Sequence, residues 1–195
     1  LQRQGVGLLY MVPWPAAGFY TQVPLSSVEV LRGSRFRTFS PMTNRFAALV
    51  GANPVLVQAA ELAQAFATGI ANAMVTSAQT GVDTSAWDYA KVFTPATFSM
   101  TKNAVLVSRR AMEALPADQR AAVLDQARRA EERGWRYAEE AQVAAERRLA
   151  ERGLQIGTVA PEVQAQFDQI SRTMAEEWVA RAGEDGRRLL EQLRG

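Results

Sequence analysis

A chain of 195 residues with 48% hydrophobic and 22% charged side chains can bury a substantial core, and its net charge of +2 marks no cationic surface. It has neither Cys nor His, which excludes disulfides, thiolate nucleophiles, Cys- or His-ligated metals and the Ser-His-Asp arrangement, so binding gains the weight that catalysis loses. All basic residues except Lys91 and Lys102 are arginines interleaved with Asp and Glu, and no run of about twenty apolar residues exists, so nucleic-acid and transmembrane readings fall away. No cofactor is expected.

Residues 5–12 (GVGLLYMV) read as a buried strand, and residues 13–24 (PWPAAGFYTQVP) carry too much Pro and Gly for regular structure. Residues 26–33 make one or two helical turns closed by Gly33. RFRTF at 35–39 alternates like a strand, with Phe36 and Thr38 on one face and Arg35, Arg37 and Phe39 on the other. Ser40 caps a helix over 41–50, with Pro41 at the first position, where its missing N–H costs nothing. Gly51 suits the left-handed end of that helix. A strand at 54–57, a helix at 59–69 stopped by Gly69 and a strand at 72–77 complete a strand-helix series that predicts parallel pairing in an α/β layer. Residues 78–93 then lead away as loop and helix.

Residues 96–108 (ATFSMTKNAVLVS) form a β-like stretch long enough to link two bodies. Helical character takes over at Arg109. One long helix runs from Pro116 to Gly153, with Val123, Ala127, Ala130, Gly134, Tyr137, Ala141 and Ala144 along its apolar face. A short strand within 154–159 and two helices, 161–182 and 184–194, broken at Gly183, end the chain.

Three groups of residues are candidates for a site. Arg37 sits late in its strand beside a helix N-terminus, and open α/β sheets bind ligands outside the carboxyl ends of their strands. Its guanidinium is either a carboxylate fork reaching into that crevice or an ordinary surface charge. Arg35 shares the face, lies earlier and reads as solvated. Thr76 and Ser77 end a strand and either donate hydroxyl hydrogen bonds into the same crevice or cap the next helix. Trp14, Phe19 and Tyr20 either wall a pocket or cover the sheet as core.

The ordered series LRGSRFRT, VGANPVLVQAAELAQAFATGIANAMVTS, WDYAKVF and NAVLVSRRAMEALPADQRAAV resembles the solute-binding proteins of tripartite ATP-independent periplasmic (TRAP) transporters, the DctP-type family. The match runs over roughly residues 5 to 155. It implies a periplasmic-binding-protein-like (type II-like) α/β second domain with a parallel-rich sheet, hinge strands and a long carboxyl-terminal helix. The expected layout is 1–12 a crossing strand, 13–95 the ligand-binding lobe, 96–108 a hinge strand and 109–195 a helical region whose long helix spans the lobes.

The resemblance further implies a periplasmic receptor, not an enzyme, that captures an organic acid and delivers it to membrane permease subunits. Arg37 aligns with the family's carboxylate clamp, Thr76 falls where many members place a ligand-contacting Asn or Trp, and Asn103 lies on the strand that passes the ligand. Many members read Asp-Gly-Gln-Glu-Asn-Pro where this chain has Asn72-Ala-Met-Val-Thr-Ser77, and positions often aromatic are Ala59 and Ala63 here. With Trp14 and Phe19, these changes tilt the expectation to an apolar or aromatic monocarboxylate. The family's amino-terminal domain is expected to be missing from this chain, and self-association as a homodimer or by exchanged elements is expected in turn. A helical interaction protein without a small ligand is the alternative.

Overall fold

The computed structural model describes residues 2–194 as a six-stranded mixed sheet with helices on both faces, joined to a two-stranded ribbon. The ribbon pairs β1 (Val6–Pro13) with β7 (Lys102–Ser108), antiparallel. The sheet contains β2 (Ala17–Thr21), β3 (Arg35–Thr38), β4 (Asn53–Leu56), β5 (Ala73–Ser77), β6 (Val92–Pro95) and β8 (Gln155–Ile156), in the order β4-β3-β5-β2-β6-β8. As the strand-helix spacing requires, β3 pairs parallel with β4 and β5. β2 runs antiparallel between β5 and β6, and β8 adds a short parallel edge to β6.

Local signals explain the first crossovers. α1 (Pro41–Leu49) starts at Ser40, whose hydroxyl accepts from the Thr43 N–H while Thr43 Oγ1 accepts from the Ser40 N–H. Gly51 follows at a φ of +71°, a conformation that costs glycine little. α2 (Leu62–Ala67) and α3 (Ala78–Asp83) complete the other short crossovers. α4 (Arg109–Glu113) leads into the long helix α5 (Ala117–Glu151), and α6 (Pro161–Arg194) is kinked at Gly183, where φ is +68°.

Period-2 alternation divides the sheet between two cores. Phe19, Phe36 and Val75 point to one face, where Phe46 of α1 and Val163 and Phe167 of α6 cover them. Phe19 stacks on Phe167 with ring centroids 5.0 Å apart and meets Phe98 edge-on at 5.5 Å. Tyr20, Met74 and Phe93 point the other way, beneath Leu62, Ala78 and the Ala145 and Leu149 face of α5.

Four expectations need correction. Residues 13–24 are not all irregular: Ala17–Thr21 forms the fully buried β2. Gly18, read as a loop signal, instead permits close packing, since a Cβ there would lie 2.6 Å from the Thr94 carbonyl oxygen and 2.7 Å from the Phe93 ring. Val92 and Phe93, expected within loop and helix, open strand β6 (Val92–Pro95). β1 is half-buried, because it belongs to a two-stranded ribbon covered chiefly by α5. The regular part of 96–108 begins at Lys102.

The apolar face of α5 is also displaced. Tyr137 and Ala144 are exposed, while Ala138 and Ala145 turn inward. Inward positions repeat every seven residues, Ala127–Gly134–Ala141 and Glu131–Ala138–Ala145, so the seam steps by four after Gly134 where three was expected. Gly134 passes directly over β1; a Cβ there would lie 2.6 Å from Val12 Cγ2. The helix thus packs on its own chain through Ala127, Ala145 and Leu149, which removes the basis for a free interaction arm.

Candidate ligand-binding site

The carboxyl ends of β3 and β5 and the root of the β1–β7 ribbon enclose a pocket of about 250 Å³. The sheet contributes Arg37, Thr76 and Ser77, while the ribbon side contributes Trp14, Thr101 and Asn103. The two crossing segments stay paired as they enter the sheet: Trp14 N–H donates to Thr101 O at 2.9 Å and Ala17 N–H to Ser99 O at 3.2 Å. Five of the six residues expected at the site therefore line one cavity. Phe19 does not. Its ring is fully buried against Phe36, Phe46, Phe98 and Phe167 on the opposite face of β2, so it is core.

Arg37 is buried, with 4% of its surface exposed. Its Nε–H donates to the Val57 carbonyl oxygen at 2.9 Å, which positions the guanidinium but spends one of five N–H donors. Phe39 covers the charge, with Arg37 Cζ 4.7 Å from the ring centroid. No carboxylate among the described residues forms an ion pair with it. Burial lowers the guanidinium pKa from its ordinary value, partly offset by the neighbouring Tyr89. The Tyr89 phenol is itself raised by burial, against a lowering hydrogen bond with Thr84 and the Arg37 charge. Arg37 nevertheless stays protonated, because guanidinium titrates far above working pH. A buried cation without a counter-ion is costly, and an anion entering the pocket relieves that cost.

The remaining residues divide their duties. Ser77 caps α3: its Oγ accepts from Thr80 N–H at 3.1 Å and from the Trp14 indole N–H at 3.0 Å. Thr76, buried beside it, has a hydroxyl with no partner among the described residues. Asn103 sits on β7 opposite Val12 and lines the pocket. Sequence reasoning missed Phe39 as the partner of Arg37, although the alternation of RFRTF placed both on one face. It also missed Ser99 and Thr101, which line the pocket from a segment read as a β-like stretch.

The pocket lies at the strand ends of an α/β sheet, the usual place for a small-molecule site in such folds, and its buried Arg37 has no ion-pair partner among the described residues. The chain belongs to bacterial extracellular solute-binding protein family 7, the DctP family, which matches residues 1–182. It is similar to DctP7 of Bordetella pertussis, an extracytoplasmic solute receptor binding pyroglutamic acid, at 40% identity and a TM-score of 0.90. The B. pertussis receptor DctP6, also binding pyroglutamic acid, is 36% identical with a TM-score of 0.92. A marine metagenome TRAP solute-binding protein specific for pyroglutamate is 29% identical, with a TM-score of 0.85. This chain is covered completely by the first two and to 96% by the third, yet spans only 64%, 64% and 62% of their lengths. No curated protein matches the chain in sequence. These relatives are receptors and not enzymes, and no helix among the described residues is long and apolar enough to cross a membrane.

Proposed function

We propose that this chain is the carboxylate-gripping lobe of a TRAP-type solute receptor in the periplasm, taking a small cyclic monocarboxylate of the pyroglutamate type and passing it to membrane permease subunits. The buried Arg37 without an ion-pair partner carries the reading. Its free N–H groups suit a bidentate carboxylate, with Phe39 packed on the charge. Thr76 and Asn103 supply hydrogen-bonding groups for the rest of the ligand, and Trp14 an apolar wall. The pocket on this lobe, about 250 Å³, accommodates a small acid. The three pyroglutamate-binding relatives favour the same choice.

Within this reading, 1–12 and 96–108 are the crossing strands, 13–95 is the lobe, and α5 runs along the body. Exposed Leu8 and Leu106, opposite one another in the ribbon, also favour self-association. Light scattering decides that point, and a monodisperse monomer removes it. The receptor function itself is tested by a thermal-shift screen of small organic acids on the complete protein and on Arg37→Ala. Stabilisation by cyclic monocarboxylates that disappears in the variant is expected; stabilisation that survives unchanged contradicts the clamp.

A further inference from the structure

Trp14 stands between β1 and β2, where the ribbon joins the sheet, and both its backbone and its ring are tethered. The backbone N–H donates to Thr101 O at 2.9 Å, and the indole Nε1–H donates to Ser77 Oγ at 3.0 Å. Ser77 is 2% exposed, and its Oγ also accepts from the Thr80 N–H at 3.1 Å. With both of its acceptor sites so used, its own O–H is left to donate to Thr80 Oγ1, also at 3.1 Å. A serine hydroxyl has one donor and two acceptor sites, so Ser77 is saturated within the chain. It has nothing left to offer a ligand. The indole N–H, turned onto Ser77, leaves carbon and π surface of Trp14 for the pocket.

We propose that Ser77 is a positioning residue that locks Trp14 as a rigid apolar wall and so makes the site prefer cyclic carboxylates to flexible acyclic ones. The proposal rests on the reading of this pocket as a carboxylate site. An indole that has lost its acceptor is free to change rotamer and turn a polar N–H into the pocket, and a mobile wall loses entropy whenever a ligand orders it. A held ring offers a flat ligand its contact area without that loss. The two tasks separate by residue. Arg37 acts on any carboxylate, whereas Ser77 acts through Trp14 on what the carboxylate is attached to.

Pyroglutamate and N-acetylglycine test this, since each has one carboxylate and one amide and only the first is a ring. Both are titrated calorimetrically into the complete protein and its Ser77→Ala, Ser77→Thr and Arg37→Ala variants. The indole N–H resonances are followed alongside, with that of Trp14 assigned through Trp14→Phe. Ser77→Ala is expected to weaken pyroglutamate about three- to tenfold, the scale of an oriented aromatic contact, while N-acetylglycine stays within about twofold. The Trp14 resonance moves in Ser77→Ala, and Ser77→Thr restores both affinity and resonance. Equal loss for the two acids, or an unmoved Trp14 resonance, overturns the proposal. If Ser77→Ala does not fold, Trp14→Phe keeps a ring but lacks the tether: lost preference for the cyclic acid supports the lock, and full preference overturns it. Undiminished binding in Arg37→Ala instead rejects the carboxylate reading, independently of Ser77.

Discussion

Phe36 and Arg37 are adjacent in one strand and face opposite ways. Phe36 enters an aromatic cluster of Phe19, Phe46 and its neighbours, where every surface has a packing partner. Arg37 is almost as buried, yet its charge meets one carbonyl oxygen and one ring face. On the first face the chain is complete without a ligand. On the second, a buried cation has no ion-pair partner among the described residues, an arrangement that stability alone does not favour.

The largest expected effect lies on the aromatic side. Phe19→Ala deletes a fully buried ring at the centre of the cluster and should cost about 3–5 kcal/mol in chemical denaturation. Any loss of ligand binding in that variant should follow its unfolded fraction. If Phe19→Ala instead folds normally and loses binding, the division between core and site is wrong.

Gly134→Ala probes the join between ribbon and helix. Alanine improves helix propensity by about 1 kcal/mol, but its Cβ would lie 2.6 Å from Val12 Cγ2 on a β-strand. Overpacking should win and leave a net loss of about 1 kcal/mol in denaturation midpoints. A net gain would mean that the ribbon shifts freely relative to α5.

The smallest effect contrasts Arg37 with a second arginine. Arg45 reaches from α1 to Glu177 on α6 in an exposed, two-pronged pair. The hydrogen bond from Arg45 holds the Glu177 carboxyl below its ordinary value, against an opposing effect of burial and with further lowering by the Arg45 and Arg181 charges. A depressed carboxylate pKa stabilises above the unfolded-state value and loses that contribution as pH falls through the folded one. Arg45→Gln should therefore lower Tm slightly at neutral pH, and the difference should vanish on acidification. Exposed pairs contribute little, so a large or acid-enhanced difference would contradict this.

Legibility in the sequence followed the range of the interactions. Ser40-Pro41 and Gly51 act within a few residues, so α1 and its ends were readable from local chemistry alone. Strand β2 was not, because Gly18 and the flanking prolines carry loop signals that only the distant Phe93 and Thr94 reinterpret. The seam of α5 shifted for a similar reason: the contact of Gly134 with Val12 is invisible to a count of threes and fours. At the site, Arg37, Thr76, Ser77, Trp14 and Asn103 line one pocket, but the family resemblance carries the expectation for Arg37, Thr76 and Asn103, since pattern alone leaves Arg37 open between a carboxylate fork and a surface charge. The saturation of Ser77 depends on an indole 63 residues away and was beyond reach.

The central claim is that Arg37 is buried for the sake of a carboxylate. Calorimetric titration of the complete protein with pyroglutamate and with its neutral primary amide isolates that charge, because the two share the ring. The acid should bind wild type, and both the amide to wild type and the acid to Arg37→Ala should be weaker by about 2–5 kcal/mol, roughly thirtyfold or more. Equal affinity for acid and amide, or an acid that binds Arg37→Ala as tightly as wild type, would contradict it.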